Sequence, residues 1–265
     1  MINKKIRIGI TGSTGVLGSL LTKKLKKKKY EVVNFQSDIR KLSKVRSWVK
    51  NNNFDAIFHL ASIVAVRSCN ENPLDACLTN IGGTNNILIS LSRIKKKPWL
   101  FYASTSHVYK PKNTPLAETD NILPKTYYGY TKWIGEKLID NFAINSKITY
   151  CIGRIFSFYS NAQSIEFLYP SIKKKIKENI NKKNIFIYNA YNELDIQKAE
   201  SVVKIMIKLF EKRACGIFNI GTGQGEEIKN FAKKLTKKNI KIITNSKKKI
   251  KVIADLKKLN LVIKK

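Results

Sequence analysis

The chain has 265 residues, with 51 lysine and arginine side chains against 18 aspartate and glutamate, so its formal net charge is +33. Hydrophobic residues make up 43% of the chain, which excludes a disordered polypeptide and is enough for a sizeable core. No apolar run approaches the roughly 18 residues of a membrane-spanning helix, and no secretory signal is visible at the N-terminus, so we expect a cytoplasmic protein without a membrane partner.

Strands and helices are predicted to alternate through residues 1–156. Short apolar runs bounded by turns predict buried strands, and helical periodicity predicts helices that bury one face. In chain order we predict a strand at 6–10, a helix at 15–28, a strand at 31–35, a helix at 42–51, a strand at 56–61, a helix at 73–94, a strand at 99–104, a helix at 124–144 and a strand at 148–156. This alternation favours an α/β fold with a Rossmann-type, doubly wound parallel sheet.

The pattern changes in residues 157–265. We predict helices at 165–179, 196–210 and 226–235, and strands at 185–188 and 217–220. Because no low-complexity linker separates the two halves, we expect part of this region to return to the main sheet. The rest is expected to form a small C-terminal substrate-binding lobe.

The excess positive charge has two interpretations. A net charge this large is typical of proteins that bind nucleic acid or another polyanion. However, 44 of the 51 basic residues are lysine, spread along the whole chain, whereas arginine is favoured for bidentate contacts to phosphates and bases. We interpret the lysines as a solvated surface with only non-specific attraction to nucleic acid. A cofactor-binding but non-catalytic protein that binds polyanions is the alternative.

Metal binding is not predicted. None of the four cysteines belongs to a CxxC pair, and the two histidines, His59 and His107, do not complete a zinc-binding spacing.

The first strand leads into a glycine-rich turn, TGSTGVLG, at residues 11–18. Gly12 permits a tight turn, Gly15 lets the backbone approach a pyrophosphate, and Gly18 lets the helix pack closely on the strand. The helix N-terminus adds free N–H groups and a positive dipole end. The turn therefore predicts a dinucleotide site, and we expect contacts from Gly12, Thr14, Gly15, Val16, Leu17 and Gly18.

A second candidate site combines a tyrosine and a lysine. Tyr128 and Lys132 are four residues apart in a predicted helix and share one face. A nearby ammonium lowers the pKa of a phenol, which is otherwise about 10. Thr105 follows a predicted parallel strand, at the sheet edge where ligands of open α/β sheets bind.

Several segments together resemble the extended short-chain dehydrogenases/reductases, the NAD-dependent epimerase/dehydratase family of nucleotide-sugar enzymes. The segments are GxxGxxG at 12–18, HLAS at 59–62, NIGGT at 80–84, ASTSHVY at 103–109, YGYTK at 128–132, DI at 195–196 and FNIGTG at 218–223. The resemblance implies that residues 1–156 are an NAD(P)-binding domain and that the substrate is a nucleotide-activated sugar. It also implies that a homodimer forms through the long helices at 73–94 and 124–144.

The resemblance also implies roles for individual residues. Tyr128 would transfer a proton, Lys132 would also hold the nicotinamide ribose, and Thr105 would hydrogen-bond the reacting oxygen. Further cofactor contacts are expected from Asp38, Leu60, Ala61, Ser62 and Asn80. Substrate contacts are expected from Thr105, Ser106, His107, Arg154 and Ser157.

The cofactor and the reaction stay open in part. Asp38, after the second strand, favours NAD, although the following Arg40 and Lys41 would tolerate the 2′-phosphate of NADP. Serine and histidine follow Thr105 where 4,6-dehydratases of the family have Asp-Glu, so epimerisation and 4-keto reduction remain. Leu194 stands where relatives often have a phosphate-binding arginine, and Ser157 where they have asparagine, so the substrate half is altered.

Overall fold

A computed structural model describes residues 5–179, 184–236 and 241–264 of the chain. The strands are β1 (Arg7–Thr11), β2 (Glu31–Asn34), β3 (Ala56–His59), β4 (Trp99–Thr105), β5 (Tyr150–Ile155), β6 (Ser157–Tyr159), β7 (Asn184–Phe186), β8 (Glu193–Leu194), β9 (Ile196–Lys198), β10 (Gly216–Ile220), β11 (Glu226–Glu227), β12 (Lys241–Ile243) and β13 (Lys251–Val252). The helices are α1 (Val16–Lys27), α2 (Leu42–Asn52), α3 (Val66–Glu71), α4 (Pro73–Cys77), α5 (Gly83–Ser92), α6 (Tyr127–Ser146), α7 (Leu168–Glu178), α8 (Ala199–Glu211), α9 (Ile228–Lys234) and α10 (Lys257–Ile263).

Six parallel strands form the main sheet, in the order β2-β1-β3-β4-β5-β10. Its apolar side chains alternate between two core layers: Phe58 packs with α1 and α8 on one face, and Ile57 packs with α2, α5 and α6 on the other. Burial on both faces explains why β3 is an uninterrupted apolar run up to its final histidine. The predicted doubly wound parallel sheet is confirmed.

A smaller lobe beside the sheet consists of β7, β8, β11, β12, β13, α7 and α9. β8 pairs with β11 and β13, and β7 pairs with β12. Ile172 and Ile176 of α7 pack with Phe231 of α9 in a core of their own. In the described parts of the chain, no helix is long and apolar enough to cross a membrane.

Several predicted helices differ from the structure, and three of them show why. The helix predicted at 73–94 is interrupted by a π-helical turn at Leu78–Gly82. The helix predicted at 196–210 begins as strand β9, which pairs with β6, and becomes helical only at Ala199. The helix predicted at 124–144 begins at Tyr127, because the Thr126 hydroxyl accepts a hydrogen bond from the Gly129 N–H, 3.0 Å away, and caps it.

Candidate active site

A cavity of about 720 Å³ lies at the carboxyl ends of the main strands, between the sheet and the smaller lobe. Its wall contains thirteen of the residues expected at the site: Gly12, Gly15, Val16, Leu17, Gly18, Leu60, Ser62, Thr105, Ser106, His107, Tyr128, Lys132 and Ser157. The tertiary fold therefore brings the glycine-rich turn and the tyrosine–lysine pair, more than a hundred residues apart in sequence, to one cavity.

The glycine-rich turn has the geometry of a phosphate cradle. Gly12 has a φ of +70°, and a methyl group at Gly18 would lie 2.1 Å from the Gly12 carbonyl oxygen, so other residues would disturb the packing of α1 on the turn. The first turn of α1, Val16 to Gly18, has no acidic residue, and no described side chain caps it. The free N–H groups at this end are therefore available to a dinucleotide pyrophosphate.

Tyr128 and Lys132 are buried on the cavity side of α6, with 9% and 2% of their surface exposed. Thr105 ends β4 beside them, and its hydroxyl accepts a hydrogen bond from the His107 N–H at 3.2 Å. The His107 ring meets the Tyr128 ring edge to face, with centroids 5.7 Å apart. A reacting hydroxyl or carbonyl group in the cavity would therefore meet a phenol, a threonine hydroxyl and an amine.

Burial controls the ionisation of this group. Burial raises the pKa of Tyr128, and a hydrogen bond with Thr105 acts in the opposite direction. Burial lowers the pKa of Lys132 to about 7, although the Glu136 carboxylate favours the charged form. The pKa of His107 is also lowered by burial. At neutral pH without a cofactor, Tyr128 is a neutral phenol that can donate a proton.

Asn80 holds the cavity wall from behind. Its Oδ1 accepts hydrogen bonds from Ser62 Oγ and the Ile63 N–H, both at 2.8 Å, and its Nδ2 donates to the Ile63 carbonyl and to Thr131 Oγ1, both at 2.9 Å. The described wall of the cavity includes neither Asn80 nor Ala61. Asn80 therefore ties the loop after β3 to α6, and its expected contact with a cofactor stays a prediction.

Arg154 is not brought to the cavity. Its guanidinium forms a buried ion pair with Glu136, with Arg154 Nη2 2.8 Å from Glu136 Oε2, and Nη1 donates to the Glu118 carbonyl at 3.0 Å. These partners hold the side chain, and Arg154 is not among the residues that line the cavity, so its expected substrate contact stays a prediction that this geometry does not favour. The sequence feature that could have indicated this ion pair is Glu136, which lies one helical turn beyond Lys132.

Asp38 and Thr14 are also not among the described residues that line the cavity. Both Asp38 oxygens accept hydrogen bonds from the Arg40 side chain, and Arg40 Nη1 donates to Asp75 Oδ1 at 3.1 Å. The Arg40 guanidinium holds the pKa of the Asp38 carboxyl below its usual value. Thr14 is exposed at the tip of the turn.

Sequence reasoning missed the distal wall of the cavity. Tyr159, Tyr169 and Phe231 form a ring cluster there, with the Tyr159 and Tyr169 centroids 5.2 Å apart. Leu194 packs with this cluster and also lines the cavity, as does the start of α3. No local motif marks these residues, because they come from separate elements. In the described ranges, no group of three or more histidine, cysteine, aspartate or glutamate residues could hold a metal ion.

The fold and the site define a nucleotide-binding protein of the short-chain dehydrogenase/reductase type: a parallel sheet, a glycine-rich turn and a Tyr-x-x-x-Lys pair around one cavity. Residues 8–221 match the model of the NAD dependent epimerase/dehydratase family. The chain belongs to this family.

Individual relatives are distant. The chain is 26% identical over 269 residues to UDP-N-acetyl-alpha-D-glucosaminuronate decarboxylase of Bacillus cytotoxicus, a match that covers 90% of this chain and 83% of that protein. It is 24% identical over 183 residues to UDP-glucose 4-epimerase of Mycoplasma genitalium, covering 59% of this chain and 54% of that one. The chain thus spans about half the length of that epimerase.

Solved structures share the fold. RMD from Pseudomonas aeruginosa, complexed with NADPH, superposes with a TM-score of 0.87 at 18% identity, covering 98% of this chain and 93% of that one. MoeE5, in complex with UDP-glucuronic acid and NAD, superposes with a TM-score of 0.84 at 21% identity, covering 97% and 92%. At these identities the likeness establishes the architecture.

Proposed function

We propose that this chain binds a nicotinamide dinucleotide along the cavity and transfers a hydride to or from a nucleotide-activated sugar, by epimerisation or by reduction of a 4-keto sugar. One observation carries the proposal: Thr105, Tyr128 and Lys132 share a wall with the glycine-rich turn. The printed names of the two relatives give UDP-sugar enzymes, and the two fold neighbours are complexed with NADPH and with NAD, which supports a nucleotide-sugar substrate and a nicotinamide cofactor.

The position of each residue in the cavity gives it a different role in the proposed reaction. The N–H groups at the start of α1 bind the cofactor pyrophosphate, and Lys132 holds the nicotinamide ribose. A bound nicotinamide supplies the hydride acceptor or donor. Tyr128 gives the reacting sugar oxygen a proton or takes one from it, and the Thr105 hydroxyl orients that oxygen. The Lys132 ammonium favours the phenolate when Tyr128 has to act as the base.

The decisive variant is Tyr128→Phe. Losing the proton-transfer group should reduce turnover by at least about 100-fold, whereas cofactor affinity and melting temperature should stay at wild-type values. Turnover is measured on a panel of UDP-sugars, with separation of the epimer, the reduced sugar and the decarboxylated product. Tyr127→Phe is the matched control, because the neighbouring Tyr127 is 39% exposed. Undiminished turnover in Tyr128→Phe would refute the mechanism.

The nucleotide that copurifies separates the two reactions. An epimerase regenerates its cofactor in each cycle, so tightly held NAD supports epimerisation. A reductase consumes one hydride per turnover, so weak and exchangeable binding of NADPH or NADH supports reduction. If correctly folded protein binds neither dinucleotide, the proposed enzyme function is wrong, and polyanion binding without a cofactor becomes the hypothesis to test.

A further inference from the structure

The Lys132 ammonium lies over a second tyrosine, Tyr102, which is distinct from the catalytic phenol. Lys132 Nζ is 4.1 Å from the centroid of the Tyr102 ring. Tyr102 lies in β4 and is 1% exposed, and Lys132 is 2% exposed. A cation over the face of a buried ring is attracted by the ring quadrupole, and this attraction is strongest where water is excluded.

The packing of α6 on β4 depends on this ring. The Tyr102 hydroxyl lies 3.5 Å from the Lys132 carbonyl oxygen. A methyl group at residue 135 would lie 2.1 Å from the same hydroxyl. The absence of a side chain at Gly135 therefore lets the helix approach closely enough for the ring to lie under the lysine.

The carboxylate of Glu136, near Lys132, forms its hydrogen bonds mainly with other residues. Both Glu136 oxygens accept hydrogen bonds from Arg154, and Oε1 also accepts one from the Ser104 hydroxyl. The Arg154 guanidinium therefore compensates most of the Glu136 charge. What remains directly beneath the ammonium is the face of the Tyr102 ring.

The other groups near Lys132 are neutral. His59, in β3, stacks on Tyr102 with centroids 5.8 Å apart; burial, together with the Lys132 charge, lowers its pKa to about 3. Burial raises the pKa of Cys69, in α3, and that of Tyr102 itself. At neutral pH none of these groups forms a counter-ion, so the ammonium is stabilised by the ring face and by the Glu136 carboxylate that Arg154 shares.

We propose that Tyr102 is a positioning residue of the catalytic pair: its ring holds the Lys132 ammonium at the cavity wall, in the place from which it binds the cofactor ribose and favours the Tyr128 phenolate. The role of Lys132 at the cofactor rests on the proposed function. The ring contact itself does not.

A fluorination series tests the contact without changing its shape. Tyr102→Phe keeps the ring face and should bind NAD with wild-type affinity. Phenylalanine analogues with one, two and three ring fluorines at this position weaken the quadrupole stepwise, so the dissociation constant of NAD should rise by about threefold with each fluorine. When Lys132 is replaced by methionine, the dissociation constant of NAD should not change along the series. This control separates a cation–π role of the ring from simple packing.

A second measurement needs no cofactor. The free energy of unfolding of each variant is followed from pH 5 to 9, and the Lys132→Met curve is subtracted. Since the ring favours the charged amine, each fluorine should lower the pKa of Lys132 in the folded chain. The rise in the free energy of unfolding that depends on Lys132 should therefore start at a lower pH. A curve that stays in place across the series, with Lys132 present, would overturn the proposal. Wild-type protein that binds no nicotinamide dinucleotide would overturn the proposed function instead, and the unfolding series would still decide the role of Tyr102.

Discussion

At the scale of single residues, the site is governed by the burial of groups that ionise. Lys132, Tyr128 and His59 all have pKa values displaced toward their neutral forms by burial. The sequence spacing predicted that tyrosine and lysine share a face. It did not predict that burial would shift both pKa values against ionisation, because burial depends on elements that are distant in sequence.

Lys132→Met should stabilise the protein while weakening cofactor binding. The pKa of Lys132 is about 7 in the folded chain, against an ordinary value of 10.5, so between these limits the unfolded chain binds more protons and stability rises with pH. The contribution is about 1.4 kcal/mol per pH unit. Urea unfolding at pH 6 to 9 should show that the variant is more stable than the wild type at pH 6 and 7. The difference between their free energies of unfolding should become smaller as the pH rises further.

The matched control is Lys137→Met. Lys137 lies on the same helix, but its side chain is 62% exposed. Its unfolding curve should run parallel to that of the wild type. If the Lys132→Met curve were also parallel, the displaced ionisation of Lys132 would be refuted.

The second prediction at this scale concerns the choice of cofactor. Arg40 is already paired with Asp38 and Asp75, so a 2′-phosphate would have to displace a carboxylate, and we expect NAD to bind more tightly than NADP. Asp38→Ala should free the guanidinium and raise NADP affinity about fivefold, measured by titration of both cofactors. The gain should vanish in Asp38→Ala/Arg40→Ala. If it persists there, Arg40 does not face the adenosine ribose.

At the scale of elements, buried polar side chains hold the catalytic helix in place. Asn80 joins α6 to the loop after β3, and the Glu136–Arg154 pair joins α6 to β5. The π-helical turn around Asn80 interrupts a helix that the apolar periodicity predicted as continuous. Periodicity records which face is buried, and it does not record that one side chain satisfies the backbone at Ile63.

Breaking the buried ion pair from one side should be costly. Arg154→Met leaves the Glu136 carboxylate, 1% exposed, without its cation and should lower the free energy of unfolding by about 3 to 5 kcal/mol. Arg154→Met/Glu136→Gln should recover a large part of this loss, because a neutral amide is cheaper to bury. Chemical denaturation of both variants provides the comparison. Equal losses in the two would contradict a charge-based penalty.

At the scale of the whole molecule, the basic residues in the described parts of the chain do not gather on one face. Lysines stand on α1 and on α8, which cover one side of the sheet, and on α2 and α6, which cover the other. This distribution matches a solvated surface better than a polyanion groove. Weak, salt-sensitive attraction to nucleic acid stays a prediction.

We propose that the chain forms a homodimer through one apolar face. Large exposed side chains concentrate on α4, the π-helical turn and the start of α6: Leu74, Leu78, Tyr127, Tyr130 and Ile134. Sedimentation should show a dimer that Tyr130→Lys weakens, because an unpaired ammonium is costly to bury in an apolar interface. Ile144→Lys, at the far end of α6 where Ile144 is 80% exposed, should leave it intact. A monomeric wild type would refute the proposal.

The sequence by itself determined the family, the order of the main strands and helices, and the glycine-rich turn. These features depend on local periodicity and on short spacings, which a linear chain displays directly. Only the tertiary structure decided that Arg154 pairs with Glu136, that Tyr102 lies under Lys132, and that rings from β6, α7 and α9 complete the cavity. Each of these contacts joins elements far apart in sequence, and its energy depends on burial, which appears only when the layers pack.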